Sequence, residues 1–529
     1  MREPIQGVRV STGDADFDTF FERIKAFLLQ DQETLIIDGN TYRGYRSPDA
    51  RSIWIRDHSD MLRAARYFDD DLQSATHHFA ETQATNGRIF DYFTIGPEHA
   101  GERENWVKYV RVPVESDVEF RFVKAVFLGW QATGDDQWML DMLPAIERAL
   151  AYALSHPWRW HEPWGVIKRP YTIDTWDFDY TAGRAPWLNF QITPDTYWGV
   201  MHGDNSGYYE AMMLTAQMCR SVGWTGKAQS WEDRAGRLRE AANRICWNGR
   251  FYTHFVPISE VRIPGVDPQE QLSLSNPMDI NRSLADHAQA VSILREYQRR
   301  RETTEAFAEW FSIDPPFPDG IFGDEKLVAG AYVNGGIMPL VGGELARAAF
   351  EHGMETYGVQ ILRLYMEMIN ATGETYLWYF PDGRPASVET STSPEAQPTD
   401  GWGSSAMLWA FVEGLCGVMD RSKLFEEVVI APRWLAAGVR RAEVAVGYAC
   451  GQGIRYTFEY QPQRRRITLT ASAPDRMQLR VLLPDNRKVK QARLNGKLIK
   501  PAIDTVETSR YCVIDARQEA QVEIVLAAK

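Results

Sequence analysis

From residue 17 to about 415 the apolar positions recur with a helical period. The pattern predicts helices near 17–30, 59–68, 71–83, 117–132, 136–155, 206–222, 224–245, 282–300, 340–353, 354–370 and 404–415, and a weaker one near 303–312. The connections alternate in length: those around 69–70, 133–135, 223 and 353 are tight, whereas 84–116, 156–205, 246–281, 313–339 and 371–403 are long. Helix pairs closed by a tight turn at one end and a long loop at the other place every long loop on one face of a helical array. About twelve helices in this alternation imply six hairpins closed into an (α/α)6 toroid over residues 1–420, with a central pocket roofed by the loops. Beyond about residue 421 the period changes to two. "YTFEY", "RRRITLTA", "MQLRVLL" and "QVEIVL" alternate apolar with polar, and Asn495-Gly496 marks a hairpin turn. The expected fold is therefore mainly α, with a small C-terminal all-β sandwich over 421–529 that braces the toroid and carries no cluster of His or carboxylates.

Composition narrows the partners. At 44% apolar and 24% charged the chain reads as an ordinary soluble globular protein, large enough at 529 residues to bury a sizeable core. A formal net charge of -13 without a long basic run points away from nucleic acid and anionic membrane surfaces and towards a neutral substrate. "MREPIQGVRVSTGDADFDTFF" has no apolar core of signal-peptide length and no later stretch is a membrane span, so a cytoplasmic address is expected. The five cysteines, Cys219, Cys246, Cys416, Cys450 and Cys512, lack CxxC spacing and read as core thiols rather than disulfides or zinc ligands; neither a metal nor a cofactor is expected. The unusual feature is 18 Trp, six of them between Trp158 and Trp198.

Several segments carry candidate chemistry. "SIWIRDHSDM" places Trp54, Arg56 and Asp57 ahead of a helix. The pair is either a cap with a surface arginine or part of a sugar site, in which an indole stacks on a pyranose face and ionic groups grip its hydroxyls. "VESDVEFRF" reads first as a capping box of Ser116 with Glu119. In "HPWRWHEPWGVIKRPYTIDTWDFDYTAGRAPWLNF", Trp158, Trp160, Trp164, Trp176 and Trp187 alternate with Asp174, Asp177 and Asp179, which suits a carbohydrate-lined wall. "MHGDNSGYYEAMM" sets Asp204, Asn205 and Ser206 before a helix, where Ser206 or Asn205 could cap while Asp204 points into the pocket. Asn334 precedes two glycines that let backbone approach a ligand, and Glu344 reads as a buried structural hydrogen-bond partner. The loop "ETYLWYFPDGRPASVETSTSPEAQPTDGWGSSA" holds Glu374, Glu389, Glu395 and Asp400; Thr399 or Asp400 also suits a helix start, and Glu395 is braced between Pro394 and the turn at Trp402.

These motifs resemble a clan of inverting glycoside hydrolases on the (α/α)6 toroid: the glucoamylases, the trehalases, and the processing α-glucosidase family with its mannosylglycerate- and glucosylglycerate-hydrolase relatives. "WIRD" resembles the glucoamylase W-x-R-D motif, which implies that Arg56 and Asp57 hold the non-reducing sugar. "HGDNSGYY" resembles the W-D-N-S segment and implies Asp204 as general acid. "PEAQPTDGWGSSA" resembles the trehalase E-Y-P-x-Q-x-G-F-G-W-T segment and the loop carrying the glucoamylase base. Where trehalases and the processing family have an E-K-Y or E-Y-Y motif for the base, this chain has Trp378-Tyr379-Phe380. The base is therefore open among Glu395, taken first, and Glu389, Glu374 and Asp400.

The expected reaction is hydrolysis of a glycosidic bond in an oligosaccharide or small glycoside, exo-acting and with inversion. Asp204 protonates the leaving oxygen, and Glu395 activates water from the opposite face. Asp174, Trp176, Asp177, Asn205, Asn334 and Trp402 join Trp54, Arg56 and Asp57 as candidate sugar contacts. Rival readings are a lyase using Tyr208 and His202, a sugar phosphorylase, or a carbohydrate-binding protein without catalysis.

Overall fold

The computed structural model describes residues 4–47, 52–95, 108–170, 191–322, 324–390, 396–484 and 487–528. Among these, twelve α-helices precede a C-terminal, largely antiparallel sheet. The helices are α1 (Ala15–Gln30), α2 (Ile55–Ala65), α3 (Ser74–Glu81), α4 (Val118–Thr133), α5 (Asp136–Ala153) and α6 (His202–Ser221). They continue as α7 (Thr225–Cys246), α8 (Ser275–Asn281), α9 (His287–Thr303), α10 (Pro339–Glu351), α11 (Glu355–Thr372) and α12 (Gly401–Trp409), the last running on through a wider π-helical turn, Ala410–Leu415.

Two of the expected elements differ. Residues 303–312 carry no helix beyond the end of α9, and the twelfth helix is α8, which lies inside a segment read as loop. Its sequence, SNPMDIN, is too short to show a period and contains Asn and Pro, residues that ordinarily mark turns. α6 begins at His202 rather than 206, so Asp204, Asn205 and Ser206 lie within its first turns and none caps it.

The even-numbered helices share one environment. α2 packs against α4, α4 against α6, α6 against α8, α8 against α10, α10 against α12 and α12 against α2, while each odd-numbered helix lies against one or more of them. Burial follows. α1 buries one stripe, Phe17, Phe20, Phe21, Ile24, Phe27 and Leu28, whereas all 11 residues of α2 are buried, including Arg56, Asp57, Asp60 and Arg63. Glycines let these helices approach. A methyl group on Gly343 of α10 would lie 2.4 Å from the Ala406 carbonyl carbon of α12. Gly343→Ala is therefore expected to destabilise the protein by roughly 1–3 kcal/mol, overriding a helix-propensity gain of about 1 kcal/mol. A lower Tm checks this; an unchanged Tm counts against close packing of α10 on α12.

Among the described residues the sheet has ten strands and takes in the N-terminal strand Gly7–Ser11, which pairs antiparallel with Arg441–Gly447. Two long strands, Arg466–Leu482 and Ser509–Leu526, pair through its middle with a register shift between Ser472 and Arg476. Glu427–Ile430 runs parallel to the first of them. Asn495 and Gly496, both at positive φ, form the two-residue turn that their sequence indicated, joining Val489–Leu494 to Lys497–Ile499. The sheet meets the ends of the helices where the tight turns lie. Gln131 at the end of α4 donates to the carbonyls of Asp420 and Ser422, both at 3.2 Å, and Glu351 of α10 accepts from Arg433 at 2.6 Å. Glu355 of α11 accepts from Ser509 at 2.6 Å and from Tyr511. The opposite ends of the helices remain for the long loops.

Among the described residues no helix is long and apolar enough to cross a membrane. The cysteines are unpaired, four of them buried and Cys450 exposed.

Candidate functional site

The N-terminal ends of α2, α4, α6 and α12 converge, and each brings a carboxylate in its first turn or at its cap: Asp57, Asp117, Asp204 and Asp400. The positive end of a helix macrodipole and its free N–H groups favour an anion there, which helps these carboxylates persist in a buried setting.

Arg56, from the first turn of α2, reaches across to α4. Its Nε and Nη2 donate to the two oxygens of Asp117 at 2.7 and 2.6 Å, and Nη2 also donates to Glu115 at 2.8 Å. Burial opposes ionisation of Asp117, but Arg56, Arg121 and Arg169 outweigh it and bring the carboxyl down to about 2. Arg121 also pairs with Asp60 at 2.5 Å, and the Trp402 indole N–H donates to the same Asp60 oxygen at 2.6 Å. Burial is again outweighed, by Arg121 and Arg63, so Asp60 stays ionised well below the usual range. Trp54 packs on Tyr92 with ring centroids 4.0 Å apart.

Asp204 is 2% exposed. The Ser116 hydroxyl donates to its Oδ2 at 2.5 Å, and Arg169 Nη1 lies 3.5 Å from Oδ1. Ser116 and Glu119 thus form no capping box: Asp117 occupies the N-cap of α4 without a side-chain cap bond. Glu119 instead accepts from the Ile89 N–H at 3.3 Å and from Tyr208 at 3.0 Å. Arg169 also stands 3.6 Å from Glu115, so ion pairs run without a break from Asp204 through Arg169, Glu115, Arg56, Asp117 and Arg121 to Asp60, which the Trp402 indole also contacts.

Asp57 and Asp400 form a second, less neutralised group. Burial pushes Asp57 up to about 6 against the pull of Arg56, with Asp60 adding to the rise. Burial pushes Asp400 up to about 7 against the N–H bonds it accepts from Gly403 and Trp402, and the nearby Asp57 adds to it. Asp400 caps α12, as one reading of the sequence expected. Both carboxyls hold a proton more readily than an aspartate of the unfolded chain, whose ordinary value is 3.8. The native state then binds more protons than the unfolded chain between about pH 4 and 7, so this contribution to stability is lost as pH rises through that window. Asp400→Asn, which keeps an acceptor oxygen for the cap, is expected to flatten the fall in Tm between about pH 5 and pH 8; a slope equal to that of the parent protein counts against the shift.

The remaining candidates are placed as follows. Asn205 accepts from the Ile167 N–H at 2.9 Å and donates to the carbonyls of Ile167 and Met201 at 3.1 and 2.8 Å. Asn334 does the same for Phe317, accepting at 2.7 Å and donating at 3.1 Å, and donates to the Leu327 carbonyl at 3.0 Å. Both amides thus hold loops in place. Glu344 pairs with Arg63 at 2.5 Å and accepts from Asn281 at 2.6 Å, the buried structural role expected for it. Glu374 is half-buried and accepts from Tyr376 at 3.0 Å, and Glu389 is exposed. Asp174, Trp176, Asp177 and Glu395 lie outside the described residues. Among the described residues no group of three or more His, Cys, Asp or Glu side chains is arranged to hold a metal ion. Glu115, Asp117, Arg121 and Arg169 were not singled out by sequence reasoning. Glu115 and Asp117 lie inside "VESDVEF", where alternating acids at a helix start were the available signal.

No protein-family model matches the chain, and no curated protein matches it. Solved structures do. The α-L-rhamnosidase from Dictyoglumus thermophilum is 10% identical with a TM-score of 0.63, over 99% of this chain and 51% of that one. The Streptomyces avermitilis α-L-rhamnosidase complexed with L-rhamnose is 14% identical with a TM-score of 0.60, over 99% and 42%. The GH63 mannosylglycerate hydrolase from Thermus thermophilus in complex with Tris is 11% identical with a TM-score of 0.50, over 74% of this chain and 99% of that one. The chain thus spans about half or less of the length of these two rhamnosidases. Mannosylglycerate hydrolases are among the families that the sequence motifs resemble; rhamnosidases are not.

Proposed function

We propose that this chain is a glycoside hydrolase whose even-numbered helices form the inner ring of an (α/α)6 toroid, and that it removes a terminal sugar with inversion. The observation that carries the reading is the convergence of four helix N-termini, each with a carboxylate, among which Asp117 is firmly ionised while Asp57 and Asp400 are easily protonated. Such a division is what acid/base hydrolysis of a glycoside uses. The fold shared with rhamnosidases and a mannosylglycerate hydrolase supports it.

In this reading Asp204 donates the proton to the leaving oxygen. Ser116 and Arg169 set the direction of its carboxyl. Glu395 takes the first place as general base. Asp400 takes the second, because its carboxyl, pushed up to about 7, exchanges a proton readily near neutral pH. Asp57 and Trp54 hold the sugar, while Arg56 keeps Asp117 and Glu115 in register beside it.

The test is a panel of nitrophenyl glycosides that includes the α-L-rhamnoside, together with mannosylglycerate and short oligosaccharides, with the released anomer followed by NMR. Release of a sugar with inverted configuration supports the reading. Retained configuration removes the inverting mechanism, and an unsaturated product moves the chain to the lyases.

A further inference from the structure

Two tryptophans of the cluster, Trp160 and Trp164, lie away from the carboxylate site, on a groove of about 640 Å³ between α5, α7 and the hairpin formed by Trp160–His161 and Val166–Ile167. Its apolar floor includes Leu154 and Leu238. Both indoles are half-buried, and His161 stands edge-on to Trp164 with ring centroids 4.8 Å apart, which fixes that ring. Facing them, α7 carries Arg234, Arg237 and Arg244, which share a helix face through the spacing 234, 237, 241, 244 and are all exposed. None of the three is ion-paired with a described residue, although the chain has a net charge of -13. The groove holds two carboxylates, Glu240 and Glu162, the latter accepting from the Trp160 indole N–H, against three guanidiniums.

We propose that this groove is a second saccharide-binding site, for a sugar chain that bears carboxylates. Planar indoles offer a surface for the C–H face of a pyranose, and guanidiniums make two-pronged hydrogen bonds to a carboxylate. The guanidiniums are exposed, and the two indoles, which rest partly on the hydrophobic core, leave the rest of their faces to the groove. The hairpin also joins the groove to the candidate catalytic site: Asn205 holds the Ile167 backbone, and Arg169, two residues further on, faces Asp204. A chain anchored in the groove therefore rests on the same loop that positions the proposed acid, but its binding does not depend on Asp204 acting as one.

Titration calorimetry of the full chain with trigalacturonate, and with its methyl ester as the uncharged control, tests this. Saturable binding is expected, weakening as salt is raised and at least about tenfold weaker for the methyl ester. The Arg237→Gln/Arg244→Gln variant alters only exposed positions of α7 and is expected to bind at least about tenfold more weakly. Trp160→Ala/Trp164→Ala is expected to lose binding while far-ultraviolet circular dichroism stays unchanged. Equal affinity for the ester, parent-like binding by the arginine variant, or no saturable binding overturns the proposal. Loss of binding in Asp57→Asn with parent-like binding by the arginine variant also overturns it, because the sugar then occupies the carboxylate site.

Discussion

Asp204→Asn is expected to lower kcat by roughly 10²–10⁴-fold on the best substrate of the panel, the usual contribution of a positioned general acid. Asparagine has nearly the shape of aspartate and still accepts from Ser116, so the first turn of α6 loses little structure while the transferable proton disappears. A substrate with an activated leaving group such as 2,4-dinitrophenol needs less protonation, so the deficit is expected to shrink on it. A variant that folds and keeps full activity on both substrates would falsify the assignment of Asp204. A deficit of the same size on both would instead mark Asp204 as a residue that shapes the site without donating the proton.

Arg56→Met should destabilise the protein by about 3–5 kcal/mol, the usual result of removing one partner from a buried ion pair. The arginine binds both oxygens of Asp117 and one of Glu115, all three side chains being almost wholly buried, and methionine fills the space without supplying charge. Arg121 and Arg169 remain near Asp117, which limits the loss to the partly compensated case. The direction with pH follows from the same contact. Asp117 is held at about 2 against an ordinary 3.8, so its stabilisation is present above about pH 4 and lost as pH falls through about 2. The gap in Tm between parent and variant should therefore be widest near neutrality and narrow in acid. An equal gap at about pH 3 and pH 7 would mean that the arginine acts through packing rather than charge.

What was legible in the sequence is what local pattern records. The apolar stripe of α1, the tight turn between α4 and α5 at Gly134 and the Asn495-Gly496 hairpin depend on a few consecutive residues, and their periods and turn residues stand in the chain as written. The same holds for the rhythm of tight and long connections, from which the gathering of Asp57, Asp204 and Asp400 at helix starts could be read. α8 escaped because seven residues, all but the last buried and with proline among them, show neither a period nor a stripe. The strand Gly7–Ser11 escaped because its partner, Arg441–Gly447, lies more than four hundred residues away.

Side-chain partnership was decided by tertiary structure alone. Ser116 looked like a cap for its own helix, yet it donates to Asp204, 88 residues on; Arg56 looked like a ligand grip, yet it binds Asp117, 61 residues on. A hydroxyl or a guanidinium takes whichever acceptor the packed helices bring within about 3 Å, and that choice depends on how the helices meet. Protonation was decided in the same way: Asp57, Asp117 and Asp400 are one residue type at similar helix positions, held at about 6, 2 and 7 by different buried neighbours. The sequence alone determined which residue types stand at the helix starts, because capping, period and turn chemistry are local. Only the tertiary structure decided which of them are neutralised, because desolvation and Coulomb interaction depend on distances through space.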